Sequence, residues 1–136
     1  MMAVKRKCLV ITAVVFLVVN PLLALAGTLL TSIELKNNTS SDKTLIDGTN
    51  TTGIVTPLFP SPALANSTTF HTSISNGLAD AGVLTYQSCR FNWSVITLGA
   101  AYTFSIGAEP SSRCSSEVLV QNVFTGEYQI RFNIDG

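Results

Sequence analysis

The sequence predicts an all-β protein: an antiparallel, jelly-roll-like β-sandwich of about eight strands behind a cleaved signal peptide. Three observations carry this. Past residue 26 no apolar period of 3.6 residues is sustained. Short runs of β-branched and aromatic residues recur there every ~8–12 residues, between clusters of Ser, Thr, Asn and Gly, as strands and turns do. At the carboxyl end Tyr128, Ile130, Phe132 and Ile134 alternate with Gln129, Arg131, Asn133 and Asp135, so one face of that segment is apolar and the other polar. That is the pattern of a half-buried antiparallel strand, and a slip of one residue would turn all four apolar side chains to water.

The 136 residues suffice for one core and are too few for two. Residues 1–26 read as an export leader. Lys5, Arg6 and Lys7 precede the apolar stretch Cys8–Ala26, and Ala24-Leu25-Ala26 supplies the small-x-small motif that places cleavage between Ala26 and Gly27. A retained anchor is the rival reading, because 19 apolar residues nearly match the ~20 that span a bilayer. Asn20-Pro21 within the run and the Ala-x-Ala motif after it favour cleavage. Residues 27–136 then form a single domain with five basic and eight acidic side chains, a net charge of −3. Scattered cations on an acidic domain offer no stripe for phosphate backbones, which excludes nucleic acid as an expected partner. Contact with membrane is expected only through the leader during export.

Without the leader's Cys8, Cys89 and Cys114 remain, an even pair in an exported chain, and a disulfide between them is expected. One His and two distant Cys are too few ligands for a metal site, so neither metal nor cofactor is expected.

In chain order, Leu29, Ile33 and Leu35 share one face of a strand over Thr28–Lys36, and a polar turn follows through Asp42. A brief strand is expected over Lys43–Asp47 and a loop over Gly48–Gly53. Ile54–Phe59, broken by Pro57 and Pro60, belongs at a sheet edge or in a loop. Thr68–Ser75 alternates with Phe70, Thr72 and Ile74 on its apolar face, which puts His71 on the solvent side. A short turn of helix is expected over Leu78–Ala81. The longest strand runs from Val83 to Trp93, with Val83, Thr85, Cys89, Phe91 and Trp93 on one face. The even positions Ile96 to Ile106 share the next apolar face across Gly99, and Cys114–Gln121 precedes the final strand. Parallel pairing is disfavoured, since no connection has room for a crossover helix.

The search for chemistry returns little. His71 with Asp80 or Asp47 and a serine would make a hydrolytic triad, but no Gly-x-Ser-x-Gly elbow accompanies them. Glu109, Glu117, Glu127 and Asp135 fall in turns or on polar strand faces, not opposed across a cleft. Asp47-Gly48-Thr49-Asn50 lacks the spaced acids of a calcium loop. Five Asn-x-Ser/Thr sequons, at Asn37, Asn38, Asn50, Asn66 and Asn92, are what a chain rich in these residues makes by composition. Trp93 with Tyr86 or Tyr102 would suit a sugar-stacking surface, although the parity of Trp93 with Phe91 and Cys89 favours the core. The expected function is therefore a secreted or periplasmic, non-enzymatic module that binds a protein, a glycan or a cell surface. Its loops Asn37–Asp42, Gly48–Gly53 and Leu58–Ser67 are the expected contact points. A fibre or coat subunit assembled through strand edges is the alternative, and a secreted hydrolase is a third class.

Overall fold

The computed structural model describes residues 27–136, so the leader expected over residues 1–26 and the Ala26 side of the expected cleavage site lie outside the described residues. Within them the protein is a two-layer β-sandwich of nine strands and no helix. The strands are β1 (Leu29–Asn37), β2 (Leu45–Thr51), β3 (Ile54–Thr56), β4 (Ser67–Ser75), β5 (Ala79–Tyr86), β6 (Cys89–Leu98), β7 (Ala101–Glu109), β8 (Cys114–Gln121) and β9 (Tyr128–Ile134). One sheet has the order β3-β4-β1-β9-β8 and the other β2-β5-β6-β7.

The alternation read in β1 and β9 builds the core. Ile33 and Leu35 from β1 and Ile130, Phe132 and Ile134 from β9 are buried against Leu84, Phe91, Trp93 and Val95 of the second sheet. Phe91 stacks on Phe132 with ring centroids 4.6 Å apart, and Trp93 tilts against Phe132 at 6.1 Å. Gly82, opposite Trp93 in the β5–β6 ladder, leaves room for the indole; any Cβ there would collide with it. The Cys89–Cys114 disulfide forms as expected and joins β6 of one sheet to β8 of the other across 25 residues of chain.

Four local expectations are corrected. First, β1 pairs parallel with β9, from Thr31↔Tyr128 to Asn37↔Ile134. No helix is needed, because the whole intervening sandwich serves as the crossover. Second, the long strand Val83–Trp93 is a hairpin turning at Gln87-Ser88, closed by the Tyr86↔Cys89 pair. The turn inverts parity, so Leu84 and Tyr86 point inward before it and Cys89, Phe91 and Trp93 after it. Val83 and Thr85 thereby face outward. The turn at Gly99-Ala100 inverts parity again, leaving Ile96 and Leu98 outside and Tyr102 and Phe104 against the core. Third, Leu78–Ala81 forms no helical turn: β5 begins at Ala79 and points Asp80 into the interior. Much of the expected loop Gly48–Gly53 likewise belongs to β2, which pairs with β5 through two register shifts.

The fourth concerns β4, which is turned over. Phe70 and Ile74 face solvent while His71, Ser73 and Ser75 face inward. Buried polar groups require partners, and here each has one. Ser73 Oγ donates to Asp80 Oδ1 at 2.6 Å and Ser75 Oγ to the Ala79 carbonyl at 2.7 Å. His71 Nδ1 donates to the Pro57 carbonyl at 2.7 Å, leaving Nε2 to accept from Thr69 Oγ1 at 2.7 Å. Asp80 Oδ2 also accepts from Thr31 Oγ1 at 2.6 Å, so one carboxylate ties both sheets together.

Candidate binding groove on the five-stranded sheet

The outer face of the five-stranded sheet is laid out by register. Thr56, Thr72, Ser32 and Gln129 form one row across β3, β4, β1 and β9. The next row is Phe70, Glu34, Arg131 and Glu117 across β4, β1, β9 and β8. The ladder of β8 with β9 shifts register between Val118 and Val120, and the intervening Leu119 comes to the wall of the same groove. The result is a hollow of about 270 Å³ with Phe70 and Leu119 at its sides and Ser32, Thr72, Gln129 and Glu34 among its lining. Phe70 is 68% exposed on the outer face of β4.

Electrostatics hold the rim in place. Arg131 donates through Nη2 to Glu34 and through Nη1 to Glu117, both at 3.1 Å. The hydrogen bond to Glu34, then that to Glu117, raises the guanidinium pKa further above its ordinary value. Such a half-exposed fork contributes little to stability but fixes the orientation of Glu34 beside the groove. Beneath it His71 is 4% exposed, with its ring 4.7 Å from that of Phe59. Burial lowers its pKa, against the opposing effect of the hydrogen bond to the Pro57 carbonyl.

The residues singled out from the sequence are dispersed. Trp93 and Tyr86 are buried, and Tyr86 donates its hydroxyl to the Pro60 carbonyl at 2.6 Å; burial raises the pKa of that phenol. Tyr102 is half-buried over Gly126, so the three aromatics form no common surface. Gly27 is exposed and has a positive φ. Asp47 accepts from the Thr49 backbone and hydroxyl, which lowers its pKa. Glu117 is held by Arg131, and Asp135 accepts from Asn38 and Ser115. Among the described residues no three His, Cys, Asp or Glu side chains gather as metal ligands. The loops Asn37–Asp42 and Leu58–Ser67 do meet: the buried Asn37 amide donates to the Ser41 and Ala63 carbonyls and its oxygen accepts from Thr39. The groove is not legible in the sequence; the one signal for it is Phe70, an aromatic residue on the face of β4 that alternation assigns to the core.

No protein-family model and no curated protein matches this chain.

Proposed function

We propose that the protein is an exported, non-enzymatic binding module whose groove holds one polar ring of an extracellular or periplasmic glycan. The observation that carries this is the exposed Phe70 ring beside a floor of hydroxyl, amide and carboxylate groups from Ser32, Thr72, Gln129 and Glu34. A sugar offers an apolar C–H face for the phenyl and hydroxyls for the floor. The hollow, about 270 Å³, has room for one such ring. Export is supported by the leader pattern in residues 1–26 and by a buried disulfide, which fits an oxidising compartment.

Three of the four sheet edges suit a fibre subunit poorly, β3 being three residues long and the β2 and β8 ladders carrying register shifts, while the fourth, β7, is a regular nine-residue edge on which a strand-pairing subunit stays the alternative. The test is a glycan array followed by calorimetry on the protein and its Phe70→Ala and Gln129→Ala variants. Removing the phenyl contact is expected to cost about 2 kcal/mol, roughly thirtyfold in affinity, with the melting temperature unchanged. Absence of glycan binding, or equal binding by Phe70→Ala, overturns the reading.

A further inference from the structure

The topology gathers exposed apolar side chains at one end of the sandwich. The β4–β5 turn presents Leu78, the β6–β7 turn Leu98 and the β8–β9 loop Phe124, exposed by 74%, 63% and 82%. All three lie at the same end, since Leu29↔Ser75, Gln121↔Tyr128 and Leu98↔Ala101 close the ladders there, and Thr97 N–H donates to the Leu78 carbonyl. The register Leu30↔Ile74↔Ile54 continues the apolar surface onto the adjoining outer face of the five-stranded sheet. Exposed Ile46, Leu58 and Leu64 also occur at the other end, but among Asp42, Lys43 and Asp47. At the apolar end Glu127 is the one exposed charged side chain among the described residues, because Asp80 there is buried.

We propose that this apolar end docks on the surface of a lipid bilayer, inserting Leu78, Leu98 and Phe124 into its interfacial region. The chain enters the domain at this same end: Gly27 follows directly on the apolar stretch Cys8–Ala26, so while that stretch is still attached and held in a membrane these loops face it. An end almost free of charge crosses into the interface at little desolvation cost, and the domain's net charge of −3 means the attraction does not come from anionic headgroups. The proposal goes beyond the expectation that membrane contact is confined to the leader. It uses none of the groove residues, so it stands or falls separately from glycan binding.

The test uses the full chain carrying Phe124→Trp or, at the opposite end, Leu58→Trp, mixed with phosphatidylcholine vesicles containing brominated acyl chains. The buried Trp93 contributes the same background to both. The indole at 124 is expected to shift to the blue and be quenched, that at 58 to do neither, and added NaCl to change nothing. Leu78→Ser and Leu98→Ser in the Phe124→Trp chain are each expected to weaken partitioning about tenfold, which a mere tether at Gly27 would not produce. Unquenched fluorescence at 124, equal quenching at 58, or insensitivity to the serine changes overturns the proposal. A blue shift that depends on protein concentration without vesicles overturns it in favour of a second copy of the chain.

Discussion

Replacing Cys89 and Cys114 together by alanine removes the covalent link between the two sheets while leaving both strands intact. The cross-link closes 25 residues of chain. In the chain-entropy model a loop of that length stabilises the fold by about 3.5 kcal/mol at 25 °C. For a domain of this size the unfolding entropy is roughly 0.23 kcal/mol/K, so the melting temperature should fall by roughly 15 °C. Urea titration followed by Trp93 fluorescence reads the loss directly, because the indole sits in the core and becomes exposed on unfolding. The m-value should rise, since an unlinked chain exposes more surface when unfolded. Reducing the parent protein should reproduce both changes. A loss below about 1 kcal/mol, or a reduced protein as stable as the oxidised one, would refute the reasoning that the bridge acts by constraining the unfolded chain.

Three further outcomes follow from the interior. His71 has its pKa lowered in the folded protein, so the unfolded chain binds the proton more readily; stability should be full above about pH 6.5 and decline as pH falls below it. His71→Gln should flatten that part of the profile in pH-dependent urea unfolding. Asp80→Ala strands the Thr31 and Ser73 hydroxyls and should cost about 3 kcal/mol, and a cycle with Thr31→Val should be strongly non-additive; simple additivity would contradict the shared carboxylate. Gly53→Ala places a Cβ 2.6 Å from Asp80 Oδ1 and should cost about 1–3 kcal/mol by calorimetry.

How legible each part was depended on whether hydrophobicity alone decided it. In β9 the apolar positions all meet the core, while Gln129 and Arg131 on the other face stay partly exposed and only Asn133 departs from the alternation, so Tyr128, Ile130, Phe132 and Ile134 are readable from the pattern; the Tyr128 phenol, whose pKa burial raises to about 12, still finds the Ser105 carbonyl at 2.9 Å. In β4 the inward face is His71, Ser73 and Ser75, stabilised by partners distant in sequence, and no pattern within the strand announces those partners. The hairpin at Gln87-Ser88 is silent in the sequence for a different reason. Positive φ among the described non-glycine residues is confined to Asn66, so this turn needs neither Gly nor Asn and leaves no compositional mark. The groove depends on the parallel register of β1 with β9 and on the shift that brings Leu119 to its wall, and both emerge only when distant strands meet.

The central claim is that this sandwich binds a glycan through the groove beside Phe70. It is tested most directly by backbone amide NMR of the protein titrated with the best ligand from a glycan array. The account predicts shifts concentrated at Ser32, Glu34, Phe70, Thr72 and Gln129, saturating together and lost in Phe70→Ala. Shifts confined to the loops Asn37–Asp42 and Leu58–Ser67, or none from any glycan, would contradict it.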